Sequence, residues 1–375
     1  MGIPETDIAI VGAGVVGLAV AAETARICQD VYVLEKNHSF GLETSSRNSQ
    51  VIHAGIYYPP ESLKARLCVE GRHLLYALCE RYGVGYRKTG KIVIASDESE
   101  IEELEEICQL GLANGVDDLT FLSRAELKAL EPDVEGKAGL LSPSTGIIDC
   151  YGLMALLHRQ AIEEGAKFVF DTEVIAIEQR GGNYRVQIKE GGDYSELVAH
   201  IVINAAGLGC DRLAHSVGID IDTAGYRLHY CRGEYFNLNP GGRYSVKRLV
   251  YPVPRKESLG IHVTPTLEGG IRLGPDARYI DELDYSMDGS QKEIFYRSVK
   301  RFLPPIELAD LSPDFVGIRP KLQAPDEDFR DFVIAHEADK GLPGLINLIG
   351  IESPGLTACL AIAKRVAGMV QDILG

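Results

Sequence analysis

Hydrophobic and polar positions along the first 35 residues follow the order strand, glycine turn, helix, strand. The apolar run 8–11 leads into Gly12-Ala-Gly14-Val-Val-Gly17, a helical segment of small residues and a second apolar run at 31–34. Glu35 stands directly after that run. This order predicts a βαβ unit that binds a dinucleotide.

Each glycine of this unit has a separate expected task. Gly12 makes the tight turn, Gly14 lets a pyrophosphate approach the backbone, and Gly17 lets the helix pack on the strand. The helix start presents N–H groups to the phosphates, and the Glu35 carboxylate can accept hydrogen bonds from the adenosine ribose. The unit alone does not distinguish FAD from NAD.

The rest of the chain mixes helical and strand periodicities. Helices are predicted at 62–82, 99–114, 151–164, 211–217, 291–302 and 358–373, and strands at 91–95, 167–170, 173–179, 201–204, 332–336 and 345–349. Short runs at 226–236, 248–253, 260–264 and 270–273 predict an antiparallel sheet as the floor of a substrate pocket. Ser123-Arg-Ala-Glu126 predicts a capping box.

Composition narrows the classes of partner. The 375-residue chain has a formal net charge of −16, which argues against nucleic acid and against charge-driven binding to an acidic membrane. Its eight cysteines are scattered, without metal-ligand spacing, so we expect no disulfide framework, no metal site and a reducing cytosol. No apolar run is long enough to span a bilayer and no signal peptide is expected, while peripheral contact with the inner membrane stays open.

Several motifs spread along the chain resemble those of one family. They are Ser46-Arg-Asn-Ser-Gln-Val-Ile-His-Ala-Gly-Ile-Tyr-Tyr58, Ser62-Leu-Lys-Ala-Arg-Leu-Cys68, Gly90-Lys-Ile-Val93, Asn204-Ala-Ala-Gly207, Arg232-Gly-Glu-Tyr235, Tyr251-Pro-Val-Pro254, Gly260-Ile-His-Val-Thr-Pro265 and Gly317-Ile-Arg319. With the glycine unit, they resemble the FAD-dependent D-amino-acid oxidase superfamily, and within it the L-2-hydroxyglutarate dehydrogenase group. The loop Gly350-Ile-Glu-Ser-Pro-Gly355 departs from the Asn-Ala-Pro-Ser-Pro of animal members.

The resemblance implies an α/β fold class. A Rossmann-like FAD-binding domain of the glutathione-reductase and D-amino-acid-oxidase type is expected, joined to an α+β substrate domain with a mainly antiparallel sheet. The layout is expected to be non-contiguous, with residues 1–85, 145–220 and 317–375 in the FAD-binding domain. Residues 86–144 and 221–316 are expected to form the substrate-binding domain.

The resemblance also implies FAD as the cofactor. The adenosine is expected on Glu35 and Lys36, with the adenine near Val174 and the pyrophosphate on the first glycines. The expected cofactor contacts are Gly12, Gly14, Val15, Val16, Gly17, Glu35, Lys36, Thr44, Ser45, Arg47, Asn48, Val174, Ala205, Ala206, Gly207, Gly317, Ile318, Gly350, Ile351, Glu352, Ser353, Pro354, Gly355, Leu356 and Thr357.

The implied reaction is oxidation of a small L-2-hydroxy acid, L-2-hydroxyglutarate to 2-oxoglutarate, by hydride transfer to flavin N5. Such a reaction needs a base for the hydroxyl proton, and imidazole suits that role. His53 and His262 are the candidates, one as base and the other as substrate contact. Arg319 is the candidate for the substrate carboxylate, because guanidinium is a fixed two-pronged donor. Tyr57, Tyr251 and Arg232 are further candidate substrate contacts.

Other functions stay open at this point. A flavin amine oxidase acting on glycine, sarcosine or a D-amino acid shares the fold and the carboxylate-binding arginine. A flavin-binding scaffold without turnover and a nicotinamide-dependent reductase are further alternatives, although only one dinucleotide fingerprint is present. The electron acceptor is expected to be oxygen, a quinone or another carrier.

Overall fold

The computed structural model describes residues 3–239, 244–254 and 260–375. Residues 1–2, part of the predicted domain segment 1–85, and 240–243 and 255–259, part of 221–316, lie outside the described residues. The helices are α1 Val15–Thr24, α2 Leu63–Tyr82, α3 Ile101–Ala113, α4 Arg124–Leu130, α5 Cys150–Glu163, α6 Cys210–Ser216, α7 Lys292–Lys300 and α8 Gly355–Leu374, with 3-10 turns at Glu98–Glu100, Gly207–Gly209, Leu308–Asp310 and Glu337–Lys340.

The strands are distributed over the whole chain. They are β1 Glu5–Val11, β2 Val31–Leu34, β3 Val51–Ile52, β4 Tyr86–Arg87, β5 Lys91–Ala95, β6 Thr120–Ser123, β7 Ala138–Ser142, β8 Gly146–Ile148, β9 Lys167–Val169, β10 Thr172–Arg180, β11 Asn183–Glu190, β12 Asp193–Asn204, β13 His229–Leu238, β14 Leu249–Pro252, β15 Val263–Pro265, β16 Ile271–Leu273, β17 Arg278–Ile280, β18 Leu311–Lys321, β19 Val333–His336 and β20 Leu345–Ile349.

A first sheet collects strands from the start, middle and end of the chain. Its order is β10-β11-β12-β1-β2-β9, and β20 pairs with both β12 and β19. The contacts β12–β1, β1–β2, β2–β9 and β12–β20 are parallel. Parallel strands need both faces covered, and α1, α5 and α8 cover one face with a buried apolar cluster. The carboxyl ends of β1, β2, β12 and β20 therefore meet at one edge.

A second sheet has the order β17-β13-β16-β15-β14-β5-β7-β6, with β18 paired to β13. Most pairs are antiparallel, as predicted, but β14 runs parallel to β5, a strand far earlier in the chain. The long strand β18 was not predicted, because Pro313 and Pro320 within it argue against a central strand. Among the described strands β18 pairs only with β13, and prolines are tolerated at such a sheet edge.

Helix boundaries show which local signals were reliable. The capping box is present, since Ser123 Oγ accepts from the Glu126 N–H and Glu126 Oε2 accepts from the Ser123 N–H. By contrast, α8 begins at Gly355, three residues before the prediction, so the glycine-rich loop forms its first turn. Within the described ranges, we find no helix whose length and apolarity would let it cross a bilayer.

Candidate active site

Two adjoining cavities form a groove at the carboxyl edge of the first sheet. The larger cavity, about 210 Å³, is lined by the first turns of α1 and α8 and by side chains of the second sheet. The smaller cavity, about 90 Å³, extends past Glu35. Gly14, Thr44, Ser45 and Ala205 line both. The two cavities are therefore parts of one elongated groove, a shape that suits an extended dinucleotide.

Close backbone packing places the start of α1 in this groove. Gly12 has φ +100°, and a side chain there would strike the Ala205 carbonyl. A side chain at Gly17 would strike the Gly12 carbonyl, so α1 lies directly against the turn that follows β1. The Val15 N–H donates to Ser45 Oγ at 2.9 Å, while Gly14 provides no side-chain cap. The positive end of α1 therefore faces the groove, where it favours a negatively charged ligand.

Glu35 holds the smaller cavity in shape. Its Oε2 accepts from the Ala13 N–H at 2.8 Å, and its Oε1 accepts from the backbone N–H and side-chain Nδ2 of Asn37 at 2.9 and 2.7 Å. Lys36 beside it pairs with Glu43 Oε1 at 2.8 Å. One buried carboxylate thus joins the glycine turn to the end of β2.

His53 lies in the wall of the larger cavity, immediately after β3. Its backbone N–H donates to Thr357 Oγ1 at 3.0 Å, and its Nε2 lies 3.4 Å from Ser353 Oγ. Burial lowers the pKa of His53 to about 3, and the charge of Lys91 adds to the effect. The imidazole is therefore neutral near pH 7, the form that can accept a proton.

His262 lines the same cavity from the second sheet. Its ring stacks on Tyr251, with the centroids 3.6 Å apart and the planes 9° apart. The Gly274 N–H donates to the His262 carbonyl at 3.0 Å. This contact and the stack fix both the backbone and the plane of the imidazole.

Arg319, on β18, lies in the wall of the larger cavity between the two sheets. Its Nη2 donates to the Asp276 carbonyl at 2.6 Å and to the Arg232 carbonyl at 3.4 Å, and its Nε donates to the Cys231 carbonyl at 3.4 Å. Neutral carbonyls orient the guanidinium without neutralising it. A cation held in this way is suited to a carboxylate ligand.

Most of the expected cofactor contacts line the groove. The larger cavity has Gly14, Val15, Val16, Gly17, Thr44, Ser45, Arg47, Asn48, Ala205, Gly207, Gly317, Ile318, Ile351, Glu352, Ser353, Pro354, Gly355 and Leu356, and the smaller one adds Gly12, Glu35, Lys36, Val174 and Ala206. Gly350 and Thr357 line neither cavity. Thr357 is buried and donates its hydroxyl to the Val51 carbonyl at 3.2 Å.

The candidate substrate residues divide into two groups. Tyr251 and Arg319 line the larger cavity with both histidines, whereas Tyr57 and Arg232 do not. Arg232 instead pairs with the buried Glu234, with Nη1 and Oε1 3.1 Å apart. The structure therefore does not bring the Arg232 guanidinium into the cavity.

Sequence reasoning missed two residues near this site. Tyr235 lines the larger cavity, stacks on Phe315 at 4.4 Å and lies 3.1 Å from Ser49 through its hydroxyl. Lys91 lies behind the Tyr251 ring. Both belong to short motifs noted in the sequence, but nothing in those motifs indicates which way the side chains point.

An ion pair joins α2 to the loop before α8. Lys64 Nζ lies 3.0 Å from Glu352 Oε1, and both side chains are about nine-tenths buried. Glu352 also lines the larger cavity. The pair neutralises a carboxylate that would otherwise oppose an anionic ligand in the groove.

These features fit FAD: an elongated groove, glycines where a side chain would clash, and two helix starts facing the ligand. The chain is 38% identical to an Arabidopsis thaliana protein named mitochondrial L-2-hydroxyglutarate dehydrogenase, covering 96% of this chain and 82% of that one. It is 33% identical to the Homo sapiens protein of the same name, covering 98% and 89%.

A solved structure is similar over almost the whole chain. The Mycoplasma pneumoniae L-alpha-glycerophosphate oxidase with FAD bound has a TM-score of 0.88 and 29% identity, and the match covers 98% of this chain and 95% of that one. The predicted α/β fold class is thereby confirmed, as is FAD as the cofactor. Residues 7–369 match the family described as FAD dependent oxidoreductase, DAO. This chain therefore belongs to the DAO family of FAD-dependent oxidoreductases.

Proposed function

We propose that this enzyme oxidises L-2-hydroxyglutarate to 2-oxoglutarate. The observation that carries the proposal is the larger cavity itself, in which Arg319, His53 and His262 converge beside the expected flavin contacts. These groups match the needs of a 2-hydroxy acid, which has a carboxylate to bind and a hydroxyl proton to remove. The relatives named L-2-hydroxyglutarate dehydrogenase support this choice of substrate.

In the proposed reaction each residue has one task. Arg319 binds the C1 carboxylate and so fixes the position of C2. His53 or His262 accepts the hydroxyl proton at a ring nitrogen while the C2–H bond breaks and a carbonyl forms at C2. Bound FAD supplies the hydride acceptor, at flavin N5. Oxygen, a quinone or another carrier then takes the electrons.

Anaerobic mixing of the FAD-loaded protein with candidate substrates tests the proposal. L-2-Hydroxyglutarate is expected to bleach the oxidised flavin absorption, whereas its D enantiomer is expected not to do so. Bleaching by glycine, sarcosine or a D-amino acid instead would favour the amine oxidase. A yellow protein that neither hydroxy acids nor amino acids reduce would favour the scaffold.

Replacement of Glu35 by Ala is expected to weaken FAD binding by about 10- to 100-fold. The change removes the carboxylate that is expected to accept from the adenosine ribose, and a hydrogen bond to a charged group contributes about 1.5–3 kcal/mol. Fluorescence titration of the apoprotein with FAD measures the Kd. The exposed Glu105→Gln on α3 is the control, and an equal Kd for the two variants would contradict the assignment.

A further inference from the structure

Lys91 is a buried cation behind the larger cavity. It is the first residue of β5 and is 1% exposed. Side chains alternate across a strand, so Lys91 shares the face of Val93, which packs in a cluster with Ala54 and Ile56. Ile92 and Ile94 instead pack into the apolar cluster that includes Phe295 of α7.

Aromatic rings lie close to the Lys91 ammonium. Its Nζ lies 4.2 Å from the ring centroid of Tyr57 and 4.9 Å from that of Tyr251. Within residues 3–239, 244–254 and 260–375, no carboxylate forms an ion pair with it. Cation–π contacts stabilise a charge only partly, whereas buried charges are normally paired with an opposite charge.

The groups that face Lys91 are all neutral near pH 7. Burial raises the pKa of the Tyr57 and Tyr251 hydroxyls and raises the pKa of the Cys68 thiol on α2 to about 12. Burial, reinforced by Lys91, lowers the pKa of His53 to about 3. Among the described residues, the surroundings of Lys91 therefore contain no anion at neutral pH, so no protein carboxylate compensates the charge of Lys91 when it is protonated.

Polar atoms around Lys91 also lack partners. In the described part of the chain, Tyr57 Oη, Tyr251 Oη and His53 Nδ1 are buried and form no hydrogen bond. Buried polar atoms in proteins are almost always paired, so the exceptions at Tyr251 and His53, both in the wall of the larger cavity, indicate that a ligand satisfies them. Tyr251 and His53 line the larger cavity, so a ligand bound there lies beside these two side chains.

We propose that Tyr251 and His53 form an anion subsite for the second carboxylate of a dicarboxylic substrate, with Lys91 as its buried counter-charge. This arrangement makes His53 the substrate contact and leaves His262 as the base. This inference rests on the proposed function, because Arg319 already takes the C1 carboxylate and a second carboxylate needs its own cation. Lys91 acts through the Tyr251 ring and is a positioning residue. The subsite explains how the cavity would select a dicarboxylate over the monocarboxylate that lacks the second carboxylate.

The counter-charge predicts a pH dependence. Burial lowers the pKa of Lys91 to about 7, and the Cys68 thiol opposes this shift. Lys91 is therefore charged below about pH 7 and loses its charge as the pH rises. Dicarboxylate affinity is expected to fall above that pH, while monocarboxylate affinity stays nearly constant.

The test uses glutarate and butyrate, which cannot be oxidised at C2, as probes of the FAD-loaded protein. Flavin absorption changes on titration give the Kd of each. Lys91→Met is expected to raise the Kd of glutarate by about tenfold or more and to leave the Kd of butyrate within about twofold of its wild-type value. Lys91→Arg is expected to retain the glutarate preference up to about pH 9, because guanidinium stays charged. The exposed Lys364→Met on α8 is the control.

Either of two results would overturn the inference. The Lys91→Met variant could keep the wild-type preference for glutarate, or it could raise the Kd of glutarate and of butyrate by the same factor. If Lys91→Met does not fold, the pH profiles of the wild type and Lys91→Arg decide, since identical profiles would contradict it. A failure of the proposed function can be distinguished from a failure of the subsite. A wild type that prefers glutarate but is not reduced by L-2-hydroxyglutarate would keep the subsite and reject the reaction.

Discussion

His53→Ala and His262→Ala are each expected to retain FAD and to lose most flavin reduction by substrate. Loss of the base removes the group that accepts the hydroxyl proton, which typically slows such a step by about 10²- to 10⁴-fold. Neither side chain spans the glycine turn or the smaller cavity, so cofactor affinity is expected to change little. Anaerobic stopped-flow absorption over a range of substrate concentrations measures the rate of flavin reduction, its limiting value and the Kd for substrate.

The limiting rate and the Kd for substrate together distinguish the roles of the two histidines. The base variant is expected to lower the limiting rate, whereas the variant of the substrate contact is expected to raise the Kd for substrate. If His53 is the base, its low pKa keeps it neutral in the free enzyme across ordinary assay pH. The ratio of the limiting rate to the Kd is therefore expected to show no acidic limb from His53 between about pH 5 and 8. His215→Ala, at an exposed site on α6, is the control. Loss of FAD from either variant would assign that histidine a structural role instead.

Arg319→Met is expected to weaken the binding free energy of the substrate by about 2–5 kcal/mol, because a buried carboxylate would lose its cation. This loss raises the Kd roughly 30-fold or more. Arg319→Lys is expected to recover only part of this loss. Lysine has no fixed fork, and the carbonyls of Cys231, Arg232 and Asp276 orient a guanidinium rather than an ammonium. The dependence of the flavin reduction rate on substrate concentration gives the Kd.

The matched control for the arginine is Arg124→Lys, at an exposed position on α4. An Arg319→Lys variant that raises the Kd no more than this control would make the carboxylate assignment wrong. A fall in the limiting rate with an unchanged Kd would also contradict it. That pattern would mean that Arg319 acts only in the transition state.

Much of the cofactor half of the molecule was predictable, because its signals are local. The turn at Gly12, the helix packed through Gly17 and the carboxylate of Glu35 lie within one continuous stretch of chain, and the predicted fold class and cofactor are confirmed. The domain boundaries and the roles of the site residues stay predictions. The start of α8 was placed three residues late, because Pro354 and Gly355 are read locally as loop signals.

The substrate side was less predictable, because its contacts join distant segments. His53 meets Ser353 across 300 residues, and Arg319 is oriented by Asp276, on a loop before β17. Strand β18 was missed because its prolines are tolerable only at a sheet edge, and edge position is a property of the sheet rather than of the strand.

The sequence by itself determined the βαβ unit, the cofactor class and the short list of histidines and arginines, since glycine turns, periodicity and motif residues act over neighbouring positions. Only the tertiary structure decided that His53, His262 and Arg319 share one cavity, that Arg232 pairs with Glu234 outside it, and that Lys91 lies beneath Tyr251. The physical reason is strand order and register. They set which side chains from distant segments face one another, and a single-residue shift would reverse each face.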